Sequence, residues 1–193
     1  ETRIRNMDYG VQLNGYLMKR MIRGDDITLF SPHEVPALYD AFYADQKLFA
    51  TLYELCEQDE SLRRITVNGG DLLRSLTVER QQTARIYLMF VDNVSEHGAF
   101  DPAVDPIVQS NLCVEITQPS SPLSVIDPGV GEISLCTLSA INLGKFDEPW
   151  EMKPYCRLAV EALNQIIDYQ EYPVLAAERS TKNRRMIGIG IIN

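Results

Sequence analysis

Apolar positions along the chain change spacing part of the way through, and the elements they predict change with them. Through residues 1–84 the spacing is mainly helical. In SPHEVPALYDAFYA, Ser31 is placed to cap a helix and Pro32 suits its first turn. Val35, Leu38, Tyr39 and Phe42 then follow at i, i+3, i+4 and i+7. A second helix is expected from about Asp45 to Cys56 on Leu48, Leu52 and Leu55, with Cys56 as a half-buried structural thiol. A third is expected near Leu72 to Gln82, its start weakened by Gly69 and Gly70. RIYLMFV, residues 85–91, is instead a continuous apolar run, which predicts a strand covered on both faces. Residues 92–130 are rich in Pro, Asp, Ser and Asn and predict a connection too long to be idle in a compact domain. GEISLCTLSAINLG, residues 131–144, alternates as a second strand. Its face bearing Ser134, Cys136, Leu138, Ala140 and Asn142 is the smaller and more polar, so Cys136 is expected to face a cavity. Within residues 151–172 a helix from about Pro154 to Tyr169 carries the stripe Tyr155, Leu158, Ala162, Leu163, Ile166 and Ile167. Cys156 beside that stripe is expected to be a small packed hydrophobe. Residues 185–193 open a further strand, MIGIGII. Strand, helix, strand is the order of an α/β protein.

Within the long connection, SNLCVEI (residues 110–116) places Asn111, Cys113 and Glu115 at alternate positions between Leu112, Val114 and Ile116. If extended, the three polar side chains share a face and form a row about 13 Å long, the reach of a nucleoside-sized ligand. Three chemistries suit such a row. Cys113 could act as a nucleophile, which needs a base such as His33 or His97. Cys113 and Glu115 could bind a metal, although no third ligand is suggested. A buried thiol could exchange hydrogen atoms while a carboxylate handles the proton and an amide orients the substrate. Alternation alone more often marks an ordinary half-buried strand than a site, so the pattern does not choose among these.

Composition narrows the setting. The 193 residues are 45% hydrophobic and 23% charged, ordinary for a soluble domain with a core. The net charge of −9 argues against bare nucleic-acid binding, which needs a basic face. The one basic cluster, Arg179, Lys182, Arg184 and Arg185, is expected to be a solvated loop rather than a phosphate contact. No apolar run approaches a membrane span, and ETRIRNMDYG has no signal-like apolar stretch, so neither membrane nor secretion is expected. The four cysteines form no CxxC pair, which disfavours a zinc ribbon or a disulfide scaffold and fits a reducing, cytoplasmic setting. The chain begins at Glu1 and stops within RRMIGIGIIN, so a piece of a larger protein is expected.

SNLCVEI followed by GEISLCTLSAINLG closely resembles the large, catalytic subunit of class I ribonucleotide reductase. In that family N-L-C-x-E-I carries the active site and G-E-I-x-L-C-x-L-S-x-x-N-L-G lies on the next barrel strand. ETRIRNMDYGVQLN, ITLFSPHEVPALYDAFYADQ, FDPAVDPI and RRMIGIGIIN extend the likeness over nearly the whole chain. The resemblance implies part of a ten-stranded α/β barrel with a central finger loop, preceded by helices. It implies reduction of ribonucleotides to 2′-deoxyribonucleotides for DNA synthesis.

By the same resemblance, Cys113 matches the cysteine that becomes a thiyl radical and takes the 3′ hydrogen. Glu115 matches the base for the 3′-hydroxyl, and Asn111 the amide that holds the substrate hydroxyls. Cys136 matches one half of a redox-active disulfide. No residue here corresponds to its partner cysteine, nor to the phosphate-binding segment, the allosteric sites or the C-terminal tail. No metal or cofactor is implied on these residues: the radical comes from a metal-containing small subunit, and nucleotide effectors bind elsewhere in the full subunit. Implied partners are the ribonucleotide, the remainder of the large subunit, the small subunit, and thioredoxin or glutaredoxin. The alternative is a separately encoded or non-catalytic piece, acting only as an assembly module of a split reductase.

Overall fold

The computed structural model describes residue 4, residues 6–125 and residues 129–193. Residues 1–3 and 5 of the expected helical segment, and 126–128 of the expected loop, lie outside the described residues. The chain divides into two compact units, Glu1–Val104 and Asp105–Asn193.

In the first unit, β1 (Tyr9–Leu13) pairs in parallel with β4 (Ile86–Phe90), Leu13 lying opposite Phe90. Parallel neighbours require a long crossover. Here it holds α1 (Gly15–Arg23), β2 (Asp26–Phe30), α2 (Pro36–Ala44), α3 (Gln46–Gln58), β3 (Arg64–Asn68) and α4 (Gly69–Thr83), with β2 and β3 paired antiparallel. The run expected to end as a strand at Val91 instead turns there into α5 (Val91–His97).

Several expectations are corrected. Residues 31–35 form a turn closed by Glu34 and Val35 amides on the Ser31 carbonyl, so α2 begins at Pro36, with Val35 rather than Ser31 at the cap. Its N1 proline is therefore Pro36, which needs no N–H there. In α3 the buried residues are Phe49 and Tyr53, while Leu48 and Leu55 stay exposed. Phe49, Leu52, Tyr53 and Cys56 also fall at i, i+3, i+4 and i+7. The aromatic stripe prevails because it has more area to bury and packs edge-on with Tyr16 and Phe42. Cys56 is half-buried, as expected, and burial pushes its thiol up. Helix α4 starts at Gly69 despite the poor propensity of glycine. A Cβ there would collide with the Asp25 carbonyl oxygen and crowd the Met21 Cα, so only glycine lets α4 pack this close. Strands β1, β2 and β3 and helix α1 have no counterpart among the expected elements. Their apolar runs are short and their pairing is set by residues far along the chain.

Tyr53 joins helix to strand. Its hydroxyl accepts from the Thr28 amide at 2.7 Å and donates to the Thr28 carbonyl at 2.8 Å, satisfying both backbone groups of one β2 residue. Burial pushes the Tyr53 phenol up to about 12, so it keeps its proton and both bonds at neutral pH.

In the second unit, residues 105–137 are irregular where described, apart from one isolated bridge between Ser121 and Glu132. The expected strand 131–144 is reduced to β5 (Leu138–Asn142), because residues 131–137 are held by side chains instead of a ladder. Helix α6 (Met152–Tyr169) follows, with Leu163 and Ile167 of the expected stripe buried. An unexpected helix, α7 (Leu175–Arg184), precedes β6 (Gly188–Ile192), which pairs in parallel with β5. Ala176, Ala177, Ser180 and Thr181 are the buried face of α7, small residues that admit close approach. The mixture of helices and parallel strand pairs is α/β, without a closed barrel among the described residues. No described helix is long and apolar enough to cross a membrane.

Removing only the hydroxyl of Tyr53 leaves the Thr28 N–H and C=O unpaired in a buried position. Tyr53→Phe is therefore expected to destabilise the protein by about 1–3 kcal/mol, seen as a lower denaturant midpoint. An unchanged midpoint would show that the hydroxyl contributes nothing.

Candidate active site

Asn111, Cys113, Glu115 and Cys136 all lie in the second unit, but strand alternation does not place them. The stretch SNLCVEI is a turn, closed by the Val114 amide on the Asn111 carbonyl at 3.1 Å. Val114 at φ 63° and Thr117 at φ 51° are in the left-handed region. For β-branched residues that conformation is costly, of order 1–3 kcal/mol each, and persists only where the surroundings impose it. The extended row is thus corrected: the turn abolishes the common face that alternation would give.

What the turn does is bring the segment onto Cys136. The Asn111 side chain, 2% exposed, donates from Nδ2 to Cys136 Sγ at 3.1 Å. The Glu115 side chain and the Cys113 backbone also lie close enough to act on the Cys136 thiol. Although Cys136 counts as exposed, partial desolvation raises its thiol above the ordinary value, and the Glu115 charge adds to this; the Asn111 and Cys113 hydrogen bonds oppose it. The net effect keeps Cys136 protonated at neutral pH. Cys113 itself is a free, exposed thiol. The Asn111 amide, the Glu115 carboxylate and the Cys113 backbone therefore come together at the Cys136 thiol.

The surrounding loop is built so that this meeting holds. Gln118, 2% exposed, donates its Nε2 to the Leu135 carbonyl at 2.7 Å, one residue before Cys136. Its backbone amide donates to Ser110 Oγ at 2.9 Å, one residue before Asn111. Ser134 Oγ donates to the Pro119 carbonyl at 2.7 Å, and Ser121 and Glu132 exchange two backbone bonds at 3.2 Å. Gly131, at φ 97°, permits the bend before Glu132, and a Cβ there would strike the Pro122 backbone.

The basic cluster closes the loop from outside. It lies on and just after α7, which corrects the solvated-loop expectation. Arg184 forms a two-pronged ion pair with Asp105 and a second with Glu132 at 2.6 Å. Arg179 donates to the Gly131 carbonyl, Lys182 pairs with Glu178, and Arg185 with Asp168. Mutual attraction raises Arg184 further above its already high value. Asp105 and Glu132 bracket the loop, so Arg184 ties its entry to its exit. Sequence reasoning missed Ser110, Gln118 and this role of Arg184. The only available signal was that polar residues flank the motif on both sides.

The two histidines considered as bases belong to the first unit. Among the described residues no three of His, Cys, Asp and Glu are grouped to hold a metal ion.

The fold and this cluster define an α/β protein with a thiol-bearing loop. The whole chain, residues 1–193, matches the family described as ribonucleotide reductase, barrel domain, and the chain belongs to that family. It is 51% identical over 193 residues to the ribonucleoside-diphosphate reductase subunit alpha of Haemophilus influenzae, covering 100% of this chain and 26% of that protein. It is 49% identical over 191 residues to the ribonucleoside-diphosphate reductase 1 subunit alpha of Escherichia coli, covering 99% of this chain and 25% of that protein. Against the ribonucleoside-diphosphate reductase large chain of Neurospora crassa the identity is 29% over 199 residues, covering 99% of this chain and 20% of that protein. The chain thus spans about a quarter of the length of its bacterial relatives.

Arg184→Met removes both ion pairs while keeping the length of the side chain. It is expected to speed limited proteolysis between Asp105 and Glu132 about ten-fold, because the loop opens more often. Cleavage at the unaltered rate would show that the clamp does not hold the loop.

Proposed function

We propose that this chain forms the substrate-reducing centre of a ribonucleoside-diphosphate reductase large subunit. The observation that carries the reading is the convergence of the Asn111 and Glu115 side chains and the Cys113 backbone on Cys136, together with the family and the names of its relatives. The reaction is the reduction of a ribonucleoside diphosphate to its 2′-deoxy form. Its partners are the rest of the large subunit, a metal-containing small subunit that generates the radical, and a thioredoxin- or glutaredoxin-type reductant.

In this reading each residue has one task. Cys113, as a thiyl radical, takes the hydrogen atom from C3′, forming its S–H bond and leaving a carbon radical. Glu115 accepts the 3′-hydroxyl proton, and for this it must be ionised and within hydrogen-bond reach. The 2′-hydroxyl departs as water. Cys136 and a second cysteine from the remainder of the subunit supply two electrons and two protons, and become a disulfide. Glu115 then returns its proton to the 3′ oxygen, and Cys113 returns its hydrogen to C3′ and is again a thiyl radical. The sum is ribonucleotide plus dithiol giving deoxyribonucleotide, water and disulfide. Asn111 holds the substrate hydroxyls with its amide. The raised Cys136 thiol suits this scheme, because the protonated form is the one that carries hydrogen.

In the complete large subunit with its small subunit, Cys113→Ser is expected to abolish deoxyribonucleotide formation, since an alcohol hydrogen is far harder to remove than a thiol hydrogen. Substantial activity in that variant would overturn the assignment. Cys136→Ser is expected to stop multiple turnover with a thioredoxin-type reductant while sparing a slow reaction driven by small thiols. Full turnover with the protein reductant would remove Cys136 from the redox pair.

A further inference from the structure

The polar chain leading to Cys136 begins two side chains away. Gln118 N–H donates to Ser110 Oγ at 2.9 Å, Ser110 O–H donates to Asn111 Oδ1 at 2.9 Å, and Asn111 Nδ2 donates to Cys136 Sγ at 3.1 Å. Gln118 closes the circuit through its Nε2 on the Leu135 carbonyl at 2.7 Å. A primary amide has a donor end and an acceptor end of nearly equal size, so packing alone does not choose which end faces a sulfur. Hydrogen bonding does choose. The Gln118 amide occupies one lone pair of Ser110 Oγ, and the single Ser110 proton is then directed to Asn111 Oδ1. With its oxygen engaged, Asn111 has only its N–H end left for Cys136. The turned-over amide would set a carbonyl oxygen against the sulfur and leave the Ser110 proton without its acceptor.

We propose that Ser110 is a positioning residue that locks the Asn111 amide with its donor end toward Cys136. The proposal deepens the reading of this loop as a reducing centre and rests on it for its consequence in catalysis, but its geometry is independent of the reaction. Among the described residues the groups acting on the Cys136 thiol are Asn111 and the Cys113 backbone as donors, with Glu115 as the facing charge. Desolvation and Glu115 raise the thiol, and the Asn111 donor is the largest of the opposing influences. Loss of that donor therefore leaves Cys136 less able to ionise.

The test uses the complete large subunit and follows alkylation of individual cysteines by iodoacetamide, peptide by peptide, as pH is raised. Ser110→Ala is expected to slow Cys136 alkylation about three- to ten-fold at a fixed pH and to move its midpoint upward. Ser110→Thr keeps a hydroxyl and is expected to restore the original profile. Cys56, in α3 of the other unit, is the internal control and should alkylate alike in all three proteins. An unchanged Cys136 profile in Ser110→Ala, or a Ser110→Thr protein that behaves like Ser110→Ala, would overturn the proposal. A general loss of fold would expose itself as faster alkylation at Cys56, the opposite of the protection expected at Cys136, and would also count against it. Because alkylation needs no turnover, this outcome is separate from that of Cys113→Ser: the reaction assigned to Cys113 can fail while the Ser110 lock stands, and the reverse.

Discussion

The second unit depends on one constraint: an irregular loop that buries its backbone must find a partner for each polar group it takes from water. Gln118 answers two parts of that demand. Nearly inaccessible, it gives its side-chain amide to the residue before Cys136 and its backbone amide to the residue before Asn111. Two stretches of chain, each unable to form a ladder with the other, are thereby held side by side. The left-handed Val114 and Thr117 are tolerated because this network leaves the backbone between Asn111 and Gln118 little choice.

Electrostatics works at a second level. Arg184 pairs with Asp105 and Glu132 together, at the points where the loop enters and leaves. The pairs are only partly exposed, so they are less screened than a surface pair, and the two-pronged contact to Asp105 adds direction. Helix α7 can present Arg184 there because its buried face is made of small residues. In an acidic chain, the basic cluster thus serves to organise acidic groups at the site's margin.

Membership of the ribonucleotide reductase barrel family fits this construction. The loop holds the Cys136 thiol between buried amides and ion-paired ends while Cys113 stays exposed. Asn111 and Cys113 lie in the turn, and the Gln118 hydrogen bonds end one residue before Asn111 and one before Cys136. Rigid support immediately behind mobile chemistry is a general need of functional sites.

Long local patterns were legible in the sequence. The α6 stripe was readable down to Leu163 and Ile167, and the run 85–91 was recognisable as a strand, though it ends one residue earlier. In α3 two stripes overlapped, and only the packing partners Tyr16 and Phe42 decided for Phe49 and Tyr53. The motif residues Asn111, Cys113, Glu115 and Cys136 were identifiable from their spelling, but their geometry was not. Alternation placed the first three on one face of a strand, whereas the chain there turns through a left-handed valine. The sequence by itself determined which chemical groups this loop carries and which family it belongs to, because both are written in residue identity and order. Only the tertiary structure decided that Asn111 meets Cys136 and that Arg184 joins Asp105 to Glu132. Those contacts join residues 25 and 79 positions apart, and no local preference of an irregular backbone encodes a partner that distant.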